Sequence, residues 1–222
     1  MKQFDNVYVK RIGYFKLYVI KGNDGDILID TGFILMKNKI KRWLDKFNIK
    51  LIILTHAHVD HIWNVAYIKK LYDCEVMISK IDVCNIDNSK ICAKPSNEKH
   101  LVWTKLMNWG MNKFVPKSFL IDYELNDGDI IEKFGLKLKI VSLSGHTDGS
   151  IGIVYGKYLF CGDALVNRKK KKVEVAYQNQ NNEKAKESVL KIFDIKPDVI
   201  FIGHDKEIMF DKFERSFPEI CN

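Results

Sequence analysis

Half of the chain's six histidines fall within one heptapeptide, "THAHVDH" at positions 55–61, with an aspartate among them. Imidazole nitrogens and carboxylate oxygens without a thiolate form a donor set that suits zinc first, with iron and manganese as the other candidates. Residues two apart in an extended segment point to the same side, so His56 and His58 can address one cation. Asp60 and His61, opening the helix that follows, turn toward a neighbouring position. Three more residues of these types lie far along the chain in matching settings: His146 after "IVSLSG", Asp163 after "YLFCG" and His204 after "VIFIG". Each follows an apolar run, as the heptapeptide follows "LIIL" (51–54). A lone His146 or His204 would ordinarily be a hydrogen-bonded structural residue; the recurrence of the setting is what marks both as ligands. The expected set is His56, His58 and His146 on one divalent metal, Asp60, His61 and His204 on a second, and Asp163 bridging the two. Two such ions sharing a hydroxide give a nucleophile active at neutral pH. Asp60, beside that hydroxide, is expected to orient it and relay a proton, and is the catalytic side chain assigned. Cys161 and Ser144 adjoin ligands, but no triad pattern makes either a nucleophile.

These residues need elements that bring them together. "YFKLYVI" (14–20) and "ILID" (27–30) flank "KGNDGD", a hairpin signal. Over 36–47, Ile40, Trp43, Leu44 and Phe47 share a helical face. "LIIL" reads as a buried strand, 60–73 as a helix carrying Ile62, Val65, Ala66, Ile68 and Leu71, and "EVMIS" (75–79) as another strand. Residues 80–118 read as a helical insertion between two β-rich halves, with a helix over 97–110 ending at Gly110. β patterning resumes through "LNDGDIIE", "LKLKIVSLSG", "SIGIVYG" and "KYLFCGD", and a final helix over 182–194 leads to "DVIFIGHD". The layout carries a faint repeat: strand, Asp30, helix, strand, His56, and then strand, Asp163, helix, strand, His204.

Composition narrows the classes. A chain of 222 residues with 46% apolar and 29% charged residues can close one full core, and no Pro/Ser/Gly-rich linker divides it, so one domain over 1–222 is expected. No stretch reaches the roughly 18 consecutive apolar residues of a membrane span, and the N-terminus lacks the apolar segment of a secretory signal; the expected location is cytoplasmic, with no membrane partner. Five cysteines without a CxxC pair read as small buried hydrophobes. A net charge of +8 favours anionic ligands, although lysine-rich composition also serves solubility alone.

In motif and order the chain resembles the metallo-β-lactamase-fold hydrolase superfamily. The resemblance rests on Asp30 in "LIDTG", "THAHVDH", His146 in "SGHTDGS", Asp163 in "FCGDA" and His204 in "IGHD". It covers nearly the whole chain except most of 80–118 and 165–181. It implies a four-layer αββα sandwich with a dinuclear site along one edge, and Asp30 as a residue that orients ligands without binding metal. Asp148 stands where proline is commonest in the family and Asp205 where glycine is usual; neither change removes a ligand. A bridging aspartate is a feature of the glyoxalase II-like and lactonase-like branch and is not used by true β-lactamases. His58 stands where flavodiiron oxygen reductases carry glutamate, which disfavours that redox branch.

The favoured function is therefore hydrolysis of a thioester, lactone or related acyl bond in a small molecule, with anionic substrates suited to the charge. A phosphodiesterase or ribonuclease of the same fold, a mononuclear-iron sulfur dioxygenase and a non-catalytic metal-binding protein are the alternatives. Nucleic acid is the less favoured partner, because no RNA-docking arm or added domain is recognisable. Substrate choice is expected in the unmatched segments. There Trp103, Met107, Trp109 and Phe114 are candidates for an apolar wall, though core packing suits most of them better. The basic run 168–172 reads first as a solvated loop.

Overall fold

The apolar runs become two mixed β-sheets in a computed structural model that describes residues 2–87, 94–95, 102, 105, 118–167 and 172–221. The N-terminal half supplies β1 (Lys2–Phe4), β2 (Val7–Ile12), β3 (Phe15–Lys21), β4 (Asp26–Ile29), β5 (Ile49–Ile53), β6 (Glu75–Ser79), β7 (Lys94–Pro95) and β8 (Tyr123–Leu125). All but β7 form one seven-stranded sheet, antiparallel from β1 to β4 and parallel from β4 through β5 and β6 to β8. The second half supplies β9 (Ile130–Lys133), β10 (Leu136–Ser142), β11 (Ile151–Tyr155), β12 (Tyr158–Phe160), β13 (Leu165–Val166), β14 (Glu174–Val175), β15 (Gln178–Asn179), β16 (Val199–Phe201) and β17 (Ile208–Met209). Its six-stranded sheet runs β17-β16-β12-β11-β10-β9, while β13–β14 and β15–β7 form small ribbons. The helices are α1 (Lys37–Leu44), α2 (Val59–Ile62), α3 (Val65–Tyr72), α4 (Lys80–Asp87), α5 (Asn182–Ile195), α6 (Phe210–Glu214) and α7 (Pro218–Cys221).

Strand parity explains the layering. Alternate residues of a strand face opposite sides. Tyr18, Ile20, Ile27, Ile29, Leu51 and Ile53 therefore point into one central core, where they meet Ile151, Ile153, Tyr158, Phe160, Val199 and Phe201 of the other sheet. Their alternates, Leu17, Val19, Leu28 and Ile52, point outward onto Ile40, Trp43 and Leu44 of α1 and Val65 and Ile68 of α3. Leu159 and Ile200 do the same against Val189 and Ile192 of α5. Both faces of the central strands are covered, so they read as continuous apolar runs rather than as alternation. The result is the four-layer αββα sandwich, and each fully buried branched side chain contributes roughly 1.5–3 kcal/mol.

Strand direction then positions the site. β4 and β5 are parallel neighbours, and so are β12 and β16; each pair flanks a helix, which gives the faint sequence repeat a structural counterpart. β10 and β12 are both antiparallel to β11 and hence run the same way. The C-terminal ends of β4 and β5 in one sheet and of β10, β12 and β16 in the other carry Asp30, the heptapeptide, His146, Asp163 and His204. A backbone bond from Ile151 N to Thr55 O, 2.9 Å, ties the two edges.

Two readings need amendment. The segment 60–73 is two helices, α2 and α3, broken at Trp63–Asn64. Thr31 donates to the His61 carbonyl from both its amide (2.8 Å) and its hydroxyl (2.6 Å), occupying the acceptor that a continuing helix would use. The reading of 80–118 as an insertion also changes at its start. α4 and β7 lie within it, and β8 beyond it rejoins the first sheet beside β6. The expected helix over 97–110 lies outside the described residues except for Val102 and Lys105, and Trp103, Met107, Trp109, Phe114 and 168–171 lie outside them too.

Candidate metal centre

All seven ligand candidates converge at this edge, in two groups whose donor atoms lie within 4.8 Å of one another: His56, His58 and His146, and Asp60, His61, Asp163 and His204. The sequence reading groups the other six in the same way and has Asp163 shared between the two groups. Asp163 Oδ2 lies 2.9 Å from His204 Nε2, 3.6 Å from His61 Nε2 and 3.7 Å from His146 Nε2, so one carboxylate oxygen is within reach of both groups. Asp60 Oδ2 is 3.3 Å from His204 Nε2 and 3.8 Å from His61 Nε2.

Four of the five imidazoles are oriented by an oxygen on Nδ1. His56 Nδ1 meets Thr55 Oγ1 at 3.0 Å, His61 Nδ1 meets Asp30 Oδ2 at 2.8 Å, His146 Nδ1 meets Gln178 O at 2.6 Å, and His204 Nδ1 meets Tyr14 O at 3.2 Å. Such a partner fixes the ring and turns the Nε2 lone pair toward the centre. His58 differs: its Nδ1 faces His146 Nε2 at 2.9 Å. The Nε2 atoms of His56, His58 and His61 are buried with no hydrogen-bond partner. Orphaned buried nitrogens are costly in a folded core, and a cation is the partner that fits them.

The electrostatics separate the groups. Burial, with neighbouring histidines adding to it, pushes His56 well below the ordinary imidazole range and His58 down to about 3, and burial also lowers His146. These three are neutral, as metal ligation requires. Burial opposes charge on His61 and His204 as well, but carboxylates overcome it, with Asp30 first for His61 and Asp163 first for His204, so both are raised well above the usual range. Burial likewise opposes ionisation of Asp60 and Asp163, but the cations beside them hold both carboxyls below the ordinary range. The second group thus presents ionised carboxylates beside protonated imidazoles, and a divalent cation held there would displace the protons of His61 and His204.

Asp30 has the orienting position that the resemblance implies. It sits in the left-handed region (φ 58°) and is buried, accepting from Thr55 N (2.9 Å), Thr55 Oγ1 (2.9 Å) and His61 Nδ1. Gly203 has a steric reason: a Cβ there would stand 2.1 Å from Asp163 Oδ1 and 2.9 Å from His61 Cε1.

The residue that sequence reasoning passed over is Asp82, in the first turn of α4 and fully buried. Its carboxylate accepts from Ala57 N (2.8 Å), the residue between His56 and His58. It also accepts from Thr147 Oγ1 (3.0 Å) and Gly149 N (3.2 Å), in the loop carrying His146. A side chain on Gly149 would strike Asp82 Oδ1 at 2.4 Å. The signal available in sequence, an acid in the first turn after a buried strand, is shared by many solvated helix starts.

Comparisons with known proteins agree with this geometry. The model of the metallo-beta-lactamase superfamily matches residues 17–204. The chain is 25% identical over 217 residues to "Probable metallo-hydrolase YflN" of Bacillus subtilis (strain 168), covering 88% of this chain and 81% of that one. It is 27% identical over 182 residues to a hydroxyacylglutathione hydrolase of Blochmanniella pennsylvanica (strain BPEN), covering 81% of this chain and 57% of that enzyme. Among solved structures, a metallo-beta-lactamase family protein from Thermus thermophilus superposes with a TM-score of 0.72 at 20% identity, covering 98% of this chain and 79% of that chain. A second, TTHA1623 in a di-iron-bound form, gives 0.72 at 22% identity, covering 95% of this chain and 98% of that one. At these identities the structures speak for the fold alone.

Proposed function

This chain belongs to the metallo-beta-lactamase superfamily, and from that membership we propose that it is a hydrolase that uses two divalent metal ions to cleave a thioester, lactone or related acyl bond in a small molecule. The observation that carries the reading is Asp163, whose single oxygen lies within 3.7 Å of nitrogens in both groups. His56, His58 and His146 would hold one ion, Asp60, His61 and His204 the other, and Asp163 both. When bound, such a pair ionises water and polarises a substrate oxygen. The chain's own contributions are orientation and proton handling. Asp30, Thr55, Gln178 and Tyr14 fix the imidazoles, and the Asp60 carboxylate would orient the attacking water and accept a proton at the open side of the site.

The acyl class is supported by the nearness of Asp163 to both groups and by relatives named hydroxyacylglutathione hydrolases, one of them 29% identical over 124 residues. Zinc is the first choice on donor chemistry, with iron and manganese next. Among the described residues no helix is long and apolar enough to cross a membrane.

The test is metal analysis of the purified protein, followed by a panel of thioester, lactone and bis-aryl phosphodiester substrates. Two metals per chain and chelator-sensitive turnover of an acyl ester are expected, lost in His58→Ala and Asp163→Asn. Unchanged metal content and turnover in both variants would overturn the assignment; turnover of the phosphodiester alone would move the protein to the nuclease side of the fold.

A further inference from the structure

The two ligand groups differ in access. His56, His58 and His146 are buried, whereas the His204 side chain is 31% exposed and Asp60 18%. Among the described residues, the centre therefore opens on its His204–Asp60 side, and the side chains on that rim face whatever approaches. The rim is aromatic. Phe15 sets its ring against His204 at 5.4 Å and 61°, Phe33 lies 6.2 Å from Phe15, and Trp63 lies 5.2 Å from Phe33.

Three separate segments build this row: the start of β3, the loop after β4, and the break between α2 and α3. Asn64 binds two of them together, donating from Nδ2 to Thr31 O and Gly32 O at 2.9 Å each. The turn that presents Trp63 and the loop that presents Phe33 are thereby one unit. On the segments that carry Phe15 and Phe33, Tyr14 is 79% exposed and Leu35 80% exposed. None of these five side chains carries a charge, in a chain of net charge +8.

We infer that the row Phe15–Phe33–Trp63, with the exposed Tyr14 and Leu35 on the segments that carry it, is a specificity wall for the uncharged hydrocarbon part of the substrate's acyl group. The inference rests on the acyl-hydrolase reading above and names its substrate class: acyl groups of several carbons or bearing an aromatic ring, rather than short hydroxylated or charged ones. A carbonyl held at the metal group places its acyl substituent along one side of the site. On the His204 side that substituent meets carbon surface, where each added methylene removed from water improves binding about fourfold. The wall contacts a non-reacting part of the substrate, so its effect falls on KM more than on kcat.

The experiment has two arms on the metal-loaded protein. In the first, kcat and KM are measured for N-acetylcysteamine thioesters of butanoate, hexanoate and octanoate; in the second, binding of the three free carboxylates is measured by calorimetry. Wild type is expected to gain about fourfold in kcat/KM and in affinity per methylene, with Phe33→Ala and the surface variant Leu35→Ser flattening both slopes at unchanged metal content. A flat slope in the wild-type carboxylate series overturns the inference, whether or not the thioesters are hydrolysed. Absence of all thioester turnover with a rising carboxylate slope instead refutes the acyl-hydrolase reading and leaves the wall standing.

Discussion

Asp82 is the sharpest place to test whether hydrogen bonding outside the ligand set builds this centre. Its carboxylate serves three buried donors: Ala57 N at 2.8 Å, Thr147 Oγ1 at 3.0 Å and Gly149 N at 3.2 Å. In Asp82→Ala all three lose their acceptor, and a buried unsatisfied donor costs about 1–3 kcal/mol. Thr147 Oγ1 retains Ser150 Oγ at 2.8 Å, so two backbone amides are stranded and the expected loss is roughly 2–6 kcal/mol. Asp82→Asn separates charge from shape. One oxygen remains for one amide, the new NH2 opposes the other, and the Thr147 hydroxyl can turn to accept, giving a loss of about 1–3 kcal/mol. Because Ala57 lies between two candidate ligands and Thr147 follows a third, affinity at the His56–His58–His146 group should fall together with stability. Urea unfolding of the metal-free protein measures the first effect, and zinc titration of each variant the second. An Asp82→Asn protein within about 0.5 kcal/mol of wild type and with unchanged zinc affinity would refute the reasoning, since surface substitutions fall in that range.

Three further outcomes follow from the geometry. Gly203→Ala places a Cβ 2.1 Å from Asp163 Oδ1 and should lower metal affinity while the circular dichroism of the fold is kept; full metal content at wild-type affinity would contradict it. Asp30→Asn preserves a residue type tolerated at φ 58° but opposes an amide to His61 Nδ1, so the metal at the Asp60–His61–His204 group should weaken about 10–100-fold, read as loss of one of two equivalents in a titration. Asp122 supplies a pH test away from the site. Partial burial opposes its ionisation, but Lys69 and the Val76 amide hold its carboxyl below the ordinary value. A lowered folded pKa means its stabilisation is present above the unfolded pKa near 4 and is lost as pH falls through the folded value. The stability gap between wild type and Asp122→Asn, about 1 kcal/mol or less for so exposed a group, should therefore close as the pH falls below about 4; a gap that widens there would reverse the assignment.

The ligands were legible because their residue types are scarce and each follows an apolar run. Strand parity then decides that Ile29 and Leu51 face the other sheet while Leu28 and Ile52 face helices, so the layers were legible as well. The braces were not, because they are long-range pairings of common residues. Nothing local tells Asp82 from a solvated acid at a helix start, and nothing tells the Gln178 carbonyl from any other. The break at Trp63–Asn64 was hidden for the same reason, since Thr31, 30 positions earlier, takes the His61 carbonyl.

These braces also change what the 80–118 segment is. Read from sequence, it is a helical insertion between two β-rich halves, expected to bear on substrate choice. The structure attaches its near end to His146 on two sides. α4 reaches the residues after His146 through Asp82, and β7 pairs Lys94 and Pro95 with Asn179 and Gln178, whose carbonyl orients the His146 ring. A boundary drawn at position 80 therefore cuts through the support of the metal group. The portion free to vary with substrate begins after β7, and a variant lacking α4 should fail to bind metal at the His56–His58–His146 group even though every ligand is still present. Wild-type zinc affinity in such a variant would show that the heptapeptide and His146 hold their geometry from the two sheets alone.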